Sequence, residues 1–391
     1  MLLRQKLGVF AIASAALGVM GSAYADTLKI GMILPMSGPF AAYGTQIQNG
    51  ARLYLSQHGD TVAGKKIELI IKDDTGVAPE ISKRQAQELV IKDKVDILAG
   101  FGLTPSAFAV APLSVQAKKP MVILNAATSS VTTKSPYIVR TSFTLPQTTA
   151  PIASWAIKNG IKKVYTVVAD YGPGHDAEAQ FKKTFGSAGG EVIGEVRTSV
   201  KNPDFAPFLQ RVKDAKPDAI FLFVPAGEQG VAFIKGFKER GLAEAGIQLI
   251  ATGDLTDEDV LDAMGEAAEG VITSFHYSEA HDSPENLAYT QAYTVAYPNH
   301  RPNFMSVSGY DGMHLIVEAL KKTQGDASGD AFIAAAKGMS WTSPRGRITI
   351  DPETRDIIQT VYIRKVEKVN GKLQNVEFDH IADVKDPGKL R

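Results

Sequence analysis

Residues 28–40 read Leu28-Lys29-Ile30-Gly31-Met32-Ile33-Leu34-Pro35-Met36-Ser37-Gly38-Pro39-Phe40: an apolar run, then a turn rich in Pro, Ser and Gly. A helix-forming stretch carrying Tyr43 comes next, so the segment has the form of a strand, a turn and a helix, the opening unit of a wound α/β sheet. The cadence recurs at Ile67 to Ile71, Val95 to Ala99 and Met121 to Leu124, with amphipathic stretches between. After Arg140 it starts again, with strands expected at Val164 to Ala169, Glu191 to Val196, Ala219 to Val224 and Gln248 to Ala251. Ala219 to Val224 is apolar throughout, as suits a parallel strand covered by helices on both faces. Phe205, Phe208, Leu209 and Val212 sit at i, i+3, i+4 and i+7 behind Asp204, a core-facing helix with an N-cap. Beyond Gly270 the pattern changes: a strand at Val271 to Phe275, helices near 284–296, 307–323 and 327–337, then strands at 347–350 and 357–366. Two wound units in series, joined by short crossings and closed by an irregular tail, are expected.

Composition narrows what such a fold does. The 391 residues carry 42 Lys and Arg against 42 Asp and Glu, are 44% apolar, and include no cysteine. The absence of Cys removes disulfides, Cys-ligated zinc, iron–sulfur clusters and thiolate catalysis, and a net charge of zero removes the basic field of a nucleic-acid binder. Arg4 and Lys6 precede an apolar run from Leu7 to Met20, and Ala23-Tyr24-Ala25 supplies small residues where a signal peptidase reads. These 14 apolar or small residues span only ~21 Å as a helix, short of the ~30 Å hydrocarbon core, so residues 1–25 are expected to be a cleaved export signal rather than an anchor. Without a lipoprotein cysteine, the expected compartment is the periplasm.

Several chemical motifs fail on inspection. Gly59 to Lys65 has phosphate-loop spacing, but Lys66 stands where a Ser or Thr belongs, and the segment precedes a strand. Gly172-Pro173-Gly174 lacks the third glycine of a dinucleotide fingerprint, and Pro173 removes a backbone donor. His276 and His281, with Glu279 and Asp282, match no zinc spacing and read as a solvated loop. No nucleophile elbow or His-Glu-x-x-His run occurs, so no catalytic residue, cofactor or metal is expected.

The segments just after the strands are more informative, because ligands of open α/β sheets bind beyond the carboxyl ends of the strands. There the first unit has Met36-Ser37-Gly38-Pro39-Phe40 with Tyr43, then Phe101-Gly102-Leu103-Thr104, then Asn125-Ala126-Ala127-Thr128. The second has Asp170-Tyr171-Gly172, Pro225-Ala226-Gly227-Glu228 and Thr252-Gly253-Asp254. In order and spacing, and together with Asp73-Asp74 and Arg140-Thr141, these segments resemble the type I periplasmic solute-binding proteins of ABC importers, the branched-chain amino acid, leucine-binding protein-like family. The resemblance covers essentially all of the chain after residue 25.

It implies two Rossmann-like lobes joined by three hinge crossings, lobe 1 from 26–141 plus 275–345 and lobe 2 from 142–274 plus 346–391. It implies capture of a small carboxylate between closing lobes, for delivery to membrane permease subunits, by a monomer that is not an enzyme. Thr104 and Thr128 fall where the family holds the ligand carboxylate, Ala126 where it offers a carbonyl, Tyr43 and Tyr171 where rings close over the ligand, and Asp254 near the residue that meets an α-ammonium. Phe101 replaces a position near a common disulfide, and Pro225-Ala226 stands where another tyrosine is usual. Phe40 and Phe101 suit a flat ring, whereas Asp254 suits an amino acid, so both ligand classes stay open. A ligand-sensing regulatory module of the same fold is the alternative. Three or four hydrogen bonds at about 1.5 to 3 kcal/mol each hold a carboxylate without an arginine, and Arg140 reads as a structural partner at a crossing.

Overall fold

We describe residues 27–389 from a computed structural model; the expected export signal lies outside the described residues. The first lobe begins with β1 (Thr27–Leu34), α1 (Ala41–His58), the short β2 (Thr61–Val62), β3 (Lys65–Asp73) and α2 (Pro79–Ile91). It continues through β4 (Ile97–Gly100), α3 (Thr104–Ala117), β5 (Met121–Ile123) and β6 (Ile138–Arg140). These strands form one sheet in the order β2-β3-β1-β4-β5-β6, parallel except for β2. The chain then passes to the second lobe with α4 (Leu145–Lys158), β7 (Lys163–Ala169), α5 (Gly172–Ser187), β8 (Glu191–Thr198) and α6 (Ala206–Ala215). β9 (Ala219–Phe223), α7 (Glu228–Glu239), β10 (Gln248–Thr252), α8 (Glu258–Met264) and β11 (Ile272–Phe275) complete its wound part. Three helices return to the first lobe: α9 (Pro284–Ala296), α10 (Phe304–Lys322) and α11 (Gly329–Ala336). The tail β12 (Ser340–Ser343), β13 (Gly346–Ile350), β14 (Ile357–Val369) and β15 (Lys372–Val384) joins the second sheet. There β8-β7-β9-β10-β11 run parallel and β14 pairs antiparallel with β11.

The strands expected from apolar runs are present, and β9 is buried at every position between its helical layers. Phe205 already has helical angles (φ −84°, ψ −15°), and Asp204 Oδ1 accepts the Ala206 N–H at 3.0 Å, the bond of an N-cap. Phe205, Leu209 and Val212 are buried with Phe233 and Phe237 of α7 in the outer core of the second lobe.

Pairing of β12 with β13 places Ser340–Ser343 in the second sheet, shortly ahead of the third crossing expected at 345. Trp341 still reaches back, its indole N–H donating to Asp311 at 3.1 Å and its ring stacking on His314. His276 is not in a solvated loop: it is fully buried and stacked on Phe143 at 4.7 Å, because the second crossing runs through the core between the lobes. His281 pairs with Glu377 at 2.8 Å, and among the described residues no group of three or more His, Cys, Asp or Glu converges for a metal.

Candidate functional site

In the first sheet β1 lies between β3 and β4, and in the second β7 lies between β8 and β9. Chain leaving the carboxyl end of each pair of adjacent strands diverges to opposite sides, which opens a crevice at that switch point. The two crevices face each other across a narrow chamber. From the first lobe come Tyr43 on α1, Leu103 and Thr104 after β4, and Asn125 and Ala126 after β5. From the second come Tyr171 and Pro173 after β7, Phe223 and Pro225 at the end of β9, and Asp254 after β10. Phe143 and Leu145 of the first crossing close the wall. The walls are mostly apolar and aromatic, and no Lys or Arg is among them.

α3 begins at Thr104 and α5 at Gly172, and the two N-termini meet: a Cβ built on Gly172 would lie 3.6 Å from Thr104 Cγ2 and 2.6 Å from Thr128 Oγ1. Helix N-termini carry partial positive charge, and bringing two together creates a site for an anion. Thr104 Oγ1 accepts the Thr128 N–H at 3.4 Å, which leaves its own proton to donate. Thr128 lies at the seam beside this end, its buried Oγ1 without a hydrogen-bond partner. Asn125 Nδ2 donates to the Gly102 carbonyl at 2.7 Å, and its buried Oδ1 is likewise unpartnered. Asn125 opens a segment singled out in the sequence, yet its own side chain was not; a buried amide with one free acceptor is visible only in three dimensions.

Asp254 marks the second lobe's side. Burial pushes its carboxyl up from 3.8 to about 7, against the Thr252 hydroxyl, which donates to Oδ2 at 2.9 Å, and the Arg364 charge. Burial raises the Tyr43 and Tyr171 phenols as well, with Asp254 adding to both shifts. Tyr43 Oη donates across the cleft to the Ala226 carbonyl at 3.1 Å. Asp176 of α5 accepts the Ser129 N–H at 2.7 Å, and Asn303 Nδ2 donates to Asp257 at 2.9 Å. With these three bonds spanning the lobes, the conformation is closed.

Two expected contacts, Phe101 and Phe40, are placed elsewhere, and a third, Ala126, lines the chamber with its carbonyl held by the scaffold. Gly100 and Phe101 both have positive φ (105° and 67°), and this turn drops the Phe101 ring into the core beneath α2 and α3 instead of the chamber. Phe40 packs edge-on against Tyr43 at 5.4 Å and faces an outer crevice of about 480 Å³, open to solvent, with Val77 and Phe205. The Ala126 carbonyl accepts from Arg140 Nη1 at 2.8 Å, which ties it to the scaffold and leaves one lone pair. Arg140 is fully buried, takes the Thr128 and Ser129 carbonyls at 2.9 and 3.2 Å, and pairs with Asp356 at 2.7 Å. Burial lowers it to about 10, still charged at neutral pH. It holds the 126–129 segment from behind.

This geometry has counterparts. A family model described as periplasmic binding protein matches residues 27–372. The Leu/Ile/Val-binding protein homolog 6 of Brucella melitensis is 46% identical over 384 residues, covering 98% of this chain and 97% of that one. A solute-binding protein of an ABC transporter from Rhodopseudomonas palustris BisB5, solved with 3,4-dihydroxybenzoic acid, is 58% identical with a TM-score of 0.91, covering 93% of this chain and 99% of that one. A second R. palustris solute-binding protein, solved with 4-hydroxybenzoate, is 46% identical with the same TM-score, covering 93% and 100%. Among the described residues no helix is long and apolar enough to cross a membrane. With two wound lobes closed on a polar-ended chamber, the chain belongs to the periplasmic binding protein family, as a solute-binding protein of an ABC transporter.

Proposed function

We propose that the chain captures a benzoate-type aromatic carboxylate in the chamber between its lobes and presents the closed complex to permease subunits of an importer. The observation that carries this reading is the meeting of two helix N-termini beside Thr104, with the unpartnered Thr128 hydroxyl at the seam, next to a chamber whose walls are mostly apolar and aromatic apart from Thr104, Asn125 and Asp254. Neutral donors and dipole ends at one side suit a carboxylate, and flat apolar walls suit a ring. The ligands of the R. palustris proteins, at 58% and 46% identity, support the same class. The protein acts by binding, in keeping with its family, and closure is favoured by whatever contacts the ligand makes only when the lobes meet. We further propose export to the periplasm, with cleavage after Ala25, and action as a monomer.

A second reading rests on Asp254: a buried carboxylate suits an α-ammonium, and the Brucella relative is named for branched-chain amino acids. A thermal-shift panel separates the two. Ligand at 100 times its dissociation constant adds about 2.7 kcal/mol of stability, so the melting point should rise with benzoate or 4-hydroxybenzoate and stay put with leucine, isoleucine and valine. A rise with the amino acids alone would overturn the proposal.

A further inference from the structure

Building on the aromatic-carboxylate reading, we propose that Tyr43 is a stop that sets ligand length: its ring walls the chamber off from the outer crevice, limits the protein to single-ring carboxylates, and hides a second compartment able to hold the far ring of a longer one. Two pairs of neighbouring residues show how thin this wall is. Tyr43 lines the chamber, and Phe40, one helical turn before it, lines the crevice. Pro225 lines the chamber, and Ala226, the next residue, lines the crevice. Tyr43 Oη donates to the Ala226 carbonyl at 3.1 Å, so one side chain reaching from lobe to lobe closes the gap between the pairs. Phe40 backs it edge-on, with ring centroids 5.4 Å apart, and both rings are buried. Gly76, at a φ of 97°, lets the Phe40 ring settle there, since a Cβ built on it would lie 3.0 Å from Phe40 Cδ2.

Strand order puts this wall between the anion-binding end and the crevice. The first sheet runs β3-β1-β4-β5 across its centre. Thr104 follows β4 and Thr128 follows β5, Tyr43 follows β1, and the crevice residues Thr75, Val77 and Ala78 follow β3. From β5 to β3 is three strand spacings, about 14 Å. A ligand whose carboxylate is held at the β4 and β5 ends therefore meets Tyr43 as it lengthens toward β1, and the crevice begins only beyond it. That crevice suits a ring: it measures about 480 Å³, and its walls include Phe40, Val77, Phe205 and Ala232. It draws on both lobes, so it is complete only when they close. Burying a second ring against such walls is favourable, whereas forcing one against Tyr43 is overpacking.

The test is isothermal titration of the processed chain with benzoate, biphenyl-4-carboxylate and leucine. It is repeated on Tyr43→Ala, and on Tyr43→Ala combined with Ala232→Trp, which fills the crevice from an exposed position on α7. The wild type should prefer benzoate to biphenyl-4-carboxylate by about 100-fold, toward the upper range for overpacking. In Tyr43→Ala that preference should fall by about tenfold or more, because the second ring gains a buried place, and adding Ala232→Trp should restore it. Comparable affinities for the two acids in the wild type, an unchanged preference in Tyr43→Ala, or a gain of biphenyl-4-carboxylate binding that survives Ala232→Trp would each overturn the assignment, while wild-type binding of benzoate keeps the aromatic-carboxylate function standing. Binding of leucine by the wild type with no binding of either acid would overturn that function itself. If Tyr43→Ala does not fold, Tyr43→Leu, which removes less volume, carries the same expectation and the same refutation.

Discussion

Gly172→Ala is the smallest change that separates lobe closure from lobe folding. The added methyl carbon would sit 2.6 Å from Thr128 Oγ1, about 1 Å inside ordinary contact, and 3.6 Å from Thr104 Cγ2, which is tolerable. Thr128 is β-branched and stiff, and turning it away would move the hydroxyl proposed to meet the ligand. The clash exists only when α5 of the second lobe rests on the first, so its cost falls on the closed state. Overpacking of this kind costs about 1 to 3 kcal/mol, which predicts a dissociation constant for 4-hydroxybenzoate raised roughly 5- to 150-fold. Within the second lobe alone, alanine at the start of a helix is as good as glycine or better, so the unfolding midpoint of the ligand-free protein should not fall. Titration calorimetry with urea unfolding monitored by circular dichroism measures both, and Thr128→Ala supplies the control, since removing Oγ1 should relieve much of the penalty. An unchanged affinity in Gly172→Ala, or the same loss in the Thr128→Ala background, would refute this account of closure.

Thr104→Ala and Thr128→Ala should each weaken 4-hydroxybenzoate binding about 10- to 100-fold, the range for one hydrogen bond to a charged group, as read by calorimetry. For Asp254, whose carboxyl burial pushes up to about 7, protonation favours the closed form: the stabilisation is complete below its ordinary value of 3.8 and is lost as pH rises through about 7. Small-angle scattering of the ligand-free protein should therefore show the lobes opening between pH 5 and 8, and Asp254→Asn should flatten that dependence. Arg140→Gln should lower unfolding free energy by about 3 kcal/mol, the low end for a broken buried pair, because Lys389 remains beside Asp356; chemical denaturation checks it.

The parts of the fold that were legible are those where burial on two faces forces an apolar run, such as β9, or where a helix shows one apolar stripe, such as α6. Strands of another character were missed. β15 lies at the edge of its pairing with β14 and is largely exposed over its second half, so Glu377, Asp379 and Asp383 break the alternation that marks a strand. β6 and β12 are too short for periodicity to register, at 3 and 4 residues. Thr104, Tyr43, Tyr171 and Asp254, which line the chamber, come from the segments after strand ends where polar and aromatic residues cluster in the sequence. Phe101 misled because its ring direction depends on two successive residues at positive φ, which its apolar character does not disclose. Phe143 and Phe223 were invisible for the opposite reason: a chamber wall and a core contact use the same residue types.

A crystal structure of the protein with 4-hydroxybenzoate tests the central claim most directly. The account predicts the carboxylate within about 3 Å of Thr104 Oγ1 or Thr128 Oγ1 at the N-termini of α3 and α5, with the ring against the apolar and aromatic walls of the chamber. A ligand seated instead in the outer crevice beside Phe40, Val77 and Phe205, or turned so that its carboxylate faces Asp254, would contradict it.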